Sequence, residues 1–283
     1  KTPVAGEQFS TINASGDTFG AYQFTLDSNA AIGDKAAIRL NALAEGLNNH
    51  RDEFDGDRYA INPTVAASLS DRTRVQFSYE YVNDDRVVDR GVPSTAGGTV
   101  ANPAGPLKRF DDTFFGSPNQ NETTFEAHVV RGRIFHDFND NHRVNATLHY
   151  AAYDKFYQNL FPIGSDVTNG SVSLDGYRDT TVRENFIAQI NFLSDIQTGP
   201  LGHQLLYGFE YGNQETENAR NDSFFAASAD DQITFPFTDP LQIPSFSFPV
   251  TNRDRDSDAE FFSVYIQDQI SIGEYIQLVG GVR

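Results

Sequence analysis

The sequence predicts an all-β fold: part of an antiparallel up-and-down transmembrane β-barrel, holding about eleven of its strands. Three observations predict it. Apolar residues recur with period two along most of the chain. Short and long connections alternate. The polar faces of the strands carry Asn, Gln, Thr and Glu throughout, as the wall of a wet lumen would.

The alternation is clearest at four places. Val75, Phe77, Tyr79 and Tyr81 alternate with Gln76, Ser78 and Glu80. Val144, Ala146, Leu148, Tyr150 and Ala152 alternate with Asn145, Thr147, His149 and Ala151. Phe186, Ala188, Ile190 and Phe192 alternate with Asn185, Ile187, Gln189 and Asn191, and Leu205, Tyr207, Phe209 and Tyr211 alternate with Leu206, Gly208 and Glu210. Side chains of a strand point alternately to its two faces, so each segment has one apolar and one polar side. Weaker alternation surrounds Tyr22–Leu26, Ile38–Ala44, Ile61–Leu69, Val264–Ile266 and Ile276–Val282, while Gln8–Gly16 and Thr124–Phe138 read as extended. Val75, Phe77, Tyr79, Leu148, Ile190, Leu205 and Phe209 are expected to face lipid, and Gln76, Glu80, Asn145, Gln189 and Glu210 the lumen.

Tight turns are expected at Ile32–Lys35, Ser70–Thr73, Asn139–His142, Thr198–His203 and Ser271–Tyr275, each with Gly, Asn, Asp or Ser, which accept turn geometry. Long connections are expected at Asn48–Arg58, Asp84–Thr123, Gln158–Thr180 and Thr216–Asp258. In a meander every second connection lies at the same end, so the short turns share one end and the long loops the other, as in outer-membrane barrels. A soluble β-sandwich also alternates. Strands of about nine residues or more, long enough to cross a bilayer when tilted, and loops too long for a compact soluble domain weigh against it.

Composition narrows the function. With 39 Asp and Glu against 21 Lys and Arg the chain carries a net charge of −18, which argues against a nucleic-acid partner. No apolar run approaches a membrane helix, and the hydrophobic fraction is only 39%. Without Cys there is no disulfide framework, zinc-thiolate site or cysteine nucleophile, and with no Trp the 24 Phe and 12 Tyr must supply any aromatic girdle. The chain starts at Lys1 with no signal peptide, as expected of a mature fragment or part of a longer chain.

Several segments, in order and spacing, resemble the TonB-dependent siderophore receptors, nearest the ferrichrome-receptor type. They are Arg39–Ala42 with Arg51, Asp52, Phe54, Gly56, Arg58 and Tyr59; Leu69–Arg74; Asp89–Pro93; Thr113–Pro118; Val264–Asp268; and Gly280–Arg283. The resemblance covers essentially the whole chain. It implies the first half of a 22-stranded barrel, one domain over 1–283, with the N-terminal plug and the C-terminal half of the barrel outside the chain. It also implies an outer-membrane location in a Gram-negative bacterium and no enzymatic activity. The expected partners are a ferric siderophore, outer-membrane lipid and, through the absent plug, the TonB complex. Other cargo (haem, cobalamin, a glycan) and a β-rich fragment that stacks into fibrils are the alternatives. No His or sequence element of the haem-receptor kind is visible.

No catalytic set, resident cofactor or metal site is expected. His149 reads as a lumen-lining residue. The alternating charges of Asn252–Asp258 and the acidic group Asp52, Glu53, Asp55 and Asp57 read as solvated loop. Aromatic side chains crowd the long connections, where exposed rings need a partner to pack on. Of these, Phe114, Phe115 and Tyr157 are the expected ligand-binding residues, because they fall near the positions that the resembled family uses.

Overall fold

The computed structural model describes residues 1–94, 98–101, 103–166 and 169–283. Among these, twelve strands form one antiparallel sheet. In chain order they are β1 (Phe9–Gly16), β2 (Tyr22–Ile32), β3 (Ala36–Asn48), β4 (Asp55–Ser70), β5 (Thr73–Val87), β6 (Glu122–Asp137), β7 (His142–Asp166), β8 (Ser171–Thr198), β9 (Leu201–Phe225), β10 (Ile233–Pro236), β11 (Phe246–Ile272) and β12 (Ile276–Val282). All except β10 pair with their sequence neighbours in a simple meander, β9 pairing directly with β11. The short β10 instead lies beside the upper end of β8, with Ile233 opposite Leu174. The sheet is open, with β1 and β12 at its edges.

The register separates the two predicted sets of side chains. One cross-strand row on the polar face reads Thr11, Asp27, Asn41 and Asn62 on β1 to β4. Another on the same face runs Glu80, Val129, Ala151, Asn185, Gln214 and Ala259 across β5 to β11. On the opposite face Ile38, Val65, Phe77, Gly132, Leu148, Ala188, Tyr211 and Phe262 form a continuous apolar row. Phe77, Leu148 and Phe262 on that face are 54%, 57% and 65% exposed, which water would penalise and lipid would not. Outward residues change character within two steps of the last apolar ones: Glu126, Asp154, Glu184, Glu215 and Glu260 lie above Val130, Ala152, Phe186, Tyr211 and Phe262. That change marks the upper edge of the apolar band.

The N-terminal segment lies against the polar face. Asn29, 2% exposed, accepts from Val4 N at 2.9 Å and donates to Val4 O and Glu7 O at 2.9 and 2.8 Å. Lys1 pairs with Asp27 at 2.6 Å, and Arg39 bonds both Asp27 and Thr2 O. We call this the lumen face.

The tight turns share one end. Backbone bonds stitch neighbouring turns together: Ser68 N donates to Lys35 O, Asp137 N to Arg72 O, and Asp195 N to Asn141 O, at 2.7, 2.9 and 2.8 Å. Three of them depend on glycine in the left-handed region, with φ of +63° at Gly33, +60° at Gly199 and +61° at Gly273.

The long connections differ from expectation. Gln158–Thr180 and Thr216–Asp258 are mostly strand: β7 and β9 have 25 residues each, β8 has 28 and β11 has 27. Above the lipid both faces meet water or loop, so apolar alternation stops while the ladder hydrogen bonds continue. The longest connections between meander strands run over 88–121, which among the described residues holds a 3-10 turn at Lys108–Phe110, and 226–245, which holds β10. Together they cover a core of Phe115, Leu160, Val172, Leu174, Phe225, Ile233 and Phe235.

Candidate functional site

The site lies on the lumen face of the upper strands, where β7 and β8 pair above the lipid. Tyr157 is opposite Asp179, and Asn159 is opposite Tyr177. Asp179 is opposite Arg220 on β9, which is opposite Arg253 on β11. These residues share one face because each pairs directly or sits two positions along the same strand.

Loop 88–121 brings the remaining side chain. Its first residues are clamped by Arg51, which forms a two-point ion pair with Asp89, both largely buried, and donates to Thr113 O at 2.9 Å. Gly91, with φ of +80°, turns the chain and donates its N–H to Asp89 Oδ1 at 2.8 Å. The loop returns at Asn121, 1% exposed. Its amide donates to Val88 O at 2.9 Å and Leu160 O at 2.8 Å, and its oxygen accepts from Leu160 N at 2.8 Å and Ser117 N at 3.2 Å. Four bonds to one buried side chain join both ends of the loop to β7.

This frame holds Arg90 over the pair of tyrosines. Arg90 Nη1 donates to Tyr177 Oη and Asn159 Oδ1, both at 3.1 Å, and lies 3.5 Å from Tyr157 Oη. Its guanidinium sits 4.8 Å above the Phe161 ring. Tyr157 and Tyr177 stack with centroids 5.8 Å apart at 25°, and Phe161 meets Tyr177 edge-on. Arg220 covers Tyr177 at 4.0 Å, and Lys155 lies 5.7 Å from the Tyr157 centroid.

The electrostatics run against the composition of the chain. Arg90 is exposed, and among the described residues it has neutral oxygens and a ring around it but no carboxylate partner. Arg220 and Arg253 share a single carboxylate, Asp179. The Arg253 Nε is buried without a hydrogen-bond partner. Asp222, opposite Tyr177 on the same face, also acts on Arg220, so the four cations Arg90, Lys155, Arg220 and Arg253 outnumber the two carboxylates Asp179 and Asp222 in a chain of net charge −18. Burial pushes the Tyr157 phenol upward and outweighs the opposing pull of Arg90, so the ring stays neutral and donates or accepts a hydrogen bond at physiological pH. The arrangement offers stacking surfaces, phenol hydroxyls and uncompensated guanidinium groups to an anionic, partly aromatic ligand.

Of the expected ligand residues, Tyr157 lies in this cluster. Phe114 and Phe115 are buried in loop 88–121 at 6% and 2% exposure; Phe115 belongs to the core beneath the loop and stacks on Phe237 at 5.9 Å. Arg90, Asn159, Arg220 and Arg253 were not singled out from the sequence. The usable signal was the basic residue inside Asp89–Pro93, a segment otherwise built for a turn.

Comparisons with known proteins bear on the fold and the family. A family model described as "TonB dependent receptor-like, beta-barrel" matches residues 60–283. The metal-pseudopaline receptor CntO of Pseudomonas aeruginosa is 28% identical over the whole chain, which covers 39% of that protein. The catecholate siderophore receptor Fiu of Escherichia coli is 24% identical over 92% of the chain, covering 36% of that protein. The crystal structure of Fiu in its open form superposes with a TM-score of 0.81 at 23% identity, over 99% of this chain and 44% of that one. The pyoverdine receptor FpvA of Pseudomonas aeruginosa superposes at 0.85 and 13% identity, over 99% and 40%. The chain thus spans about two fifths of the curated relatives that it matches. Its relatives are transport receptors rather than enzymes, and the chain belongs to the TonB-dependent receptor β-barrel family of the Gram-negative outer membrane.

Proposed function

We propose that the parent protein imports a ferric siderophore, held at the outer mouth by the Arg90 cluster. The observation that carries this reading is an arginine kept free of carboxylates among Tyr157, Tyr177, Asn159 and Phe161 in an acidic chain. A fixed cation beside aromatic faces suits a catecholate-type chelate, which presents rings and negative charge together. The relatives support the class: Fiu is named a catecholate siderophore receptor, and CntO a receptor for metal-pseudopaline. Tyr157 is the direct contact in this scheme. Phe115 supports it from the loop core, bringing its loop down onto β7 and β8, with Phe114 buried beside it.

The open sheet has unpaired ladder groups on β1 and β12, and lipid cannot satisfy them. We infer that further strands complete the barrel, that a plug packs on the lumen face, and that the TonB complex supplies the work of transport through that plug. The test is equilibrium binding of iron-labelled tris-catecholate and trishydroxamate chelates to cells carrying the whole receptor. Tight binding of the anionic catecholate that weakens in Arg90→Gln supports the reading. Equal affinity of wild type and variant for every chelate would remove Arg90 from the site.

A further inference from the structure

The connection over 226–245 lies against loop 88–121 but not against the Arg90 cluster. The side chains around Arg90, Tyr157 and Tyr177 come from β7, β8 and β9. The connection is fastened to β8 further up. There β10 runs from Ile233 opposite Leu174 to Pro236 opposite Ser171, and the Ser173 and Thr234 hydroxyls bond at 2.7 Å. Phe237 N donates to Gly170 O at 2.6 Å, so the ring of Phe237 hangs from a fixed backbone.

That ring reaches the middle of loop 88–121. It meets Phe110 edge-on at 4.6 Å and stacks on Phe115, which shares one core with Ile233 and Phe235. Two residues on, the exposed Asp239 accepts from Thr113 Oγ1 at 2.9 Å; Thr113 is 1% exposed, so its hydroxyl depends on that carboxylate. Thr113 O and Asp111 O both accept from Arg51, and Asp52 N donates to Asp112 O at 2.8 Å. The same guanidinium holds Asp89, the neighbour of Arg90. A continuous run of contacts therefore joins Phe237 and Asp239 to the residue before Arg90, with Arg51 as the joint.

We propose that Phe237 and Asp239 are positioning residues for Arg90, so that connection 226–245 sets the affinity of the mouth for an anionic chelate without touching it. The proposal rests on the reading that the Arg90 cluster holds such a chelate. Segments that share a core open and close together, and apparent affinity scales with the fraction of receptor in the competent arrangement. Once Phe237 is lost, 110–115 lifts, Arg51 loses its two carbonyls, and Asp89 carries Arg90 away from Tyr177 and Asn159.

The test is binding of iron-labelled tris-catecholate chelate to cells carrying the whole receptor, with surface receptor counted by antibody. Phe237→Ala removes two ring contacts and should weaken binding about fivefold or more, whereas Phe237→Tyr keeps both and should stay within about twofold of wild type. Asp239→Ala takes a negative charge from the mouth, which by itself favours an anion. Binding weaker by about threefold or more in that variant marks a route through the Thr113 hydrogen bond. Because Asp239 is exposed, this variant also decides the matter if Phe237→Ala fails to reach the surface. In an Arg90→Gln receptor neither Ala substitution should cost more than about a further twofold. Equal losses in both backgrounds would overturn the proposal, as would wild-type affinity in both Ala variants, or a Tyr variant as weak as Phe237→Ala. Hydrogen exchange on purified receptor without chelate separates the coupling from the cargo. The amides of Leu107 and Phe110 should lose protection in Phe237→Ala together with those of β10. If wild-type cells bind no tris-catecholate, or Arg90→Gln binds it equally well, the cargo reading fails; unchanged protection at Leu107 and Phe110 would then still reject the coupling.

Discussion

Replacing Asn121 by Ala should release loop 88–121 while leaving the barrel intact. The side chain is 1% exposed and makes four hydrogen bonds, to Val88 O, Leu160 O, Leu160 N and Ser117 N. A buried hydrogen bond contributes a net of about 0.5–1.5 kcal/mol, so four amount to about 2–6 kcal/mol. The backbone groups left behind are deep under the loop, which places the cost towards the upper half of that range. At about 4 kcal/mol the open form of the loop would be favoured by nearly three decades relative to wild type. The barrel strands keep all their ladder bonds, so its thermal unfolding should not move. Hydrogen exchange on the whole receptor in detergent checks both parts. The amides of Val88, Leu107 and Phe110, bonded to Asn121 O, Pro93 O and Leu107 O, should lose protection together, with β5 to β7 below Tyr157 unchanged. Wild-type exchange at those amides would mean that the Arg51–Asp89 clamp alone holds the loop, and that the four-bond account of Asn121 is wrong.

Other perturbations probe separate parts of the structure. Tyr157→Ala should weaken ferric-chelate binding by about two- to twelvefold, equivalent to the roughly 0.5–1.5 kcal/mol that one stacked ring supplies, without changing heat resistance; a chelate titration on cells measures it. Leu148→Arg should destabilise the barrel by about 2–4 kcal/mol because it places a charge on the lipid face, while Gln189→Arg on the lumen face should fold normally; urea unfolding in vesicles separates the two. Burial raises the carboxyl pKa of Asp175 above 3.8, and Asp222 and Asp230 add to the shift. The folded state therefore binds the proton more tightly than the unfolded one, so the stability from protonation is present near pH 3.8 and falls as pH rises through the folded value. Intrinsic-rate-corrected exchange at Ile233 and Phe235 of β10 should accordingly increase over that interval, and Asp175→Asn should abolish the dependence.

The lipid-crossing part of the fold was legible because one face of each strand meets hydrocarbon. Phe77, Leu148, Ile190 and Phe209 had to alternate with polar neighbours, and the alternation set both the strands and their facing. Above the lipid that constraint disappears. Gln158–Asp166 and Thr216–Phe225 therefore read as loop although they are strand. Arg51, Asp89 and Thr113 stood out as motif residues, and they prove to be a clamp. Arg90, one position from Asp89, was legible only as part of the same motif, since nothing local shows that its guanidinium is left without a carboxylate. That property depends on which side chains the register brings opposite it.

The length of the upper strands has a consequence for how binding can proceed. Because β7, β8, β9 and β11 run without a break from the turn end past the Tyr157 row, that part of the binding wall is rigid and already ordered before any ligand arrives. On the proposed function, capture carries little entropic penalty on that side, and adjustment to the cargo falls to the connections between these strands rather than to the strands themselves. On that reading, a receptor built in this way would change its selectivity in those connections, over a standing palisade. The staves themselves can stay constant while the cargo changes.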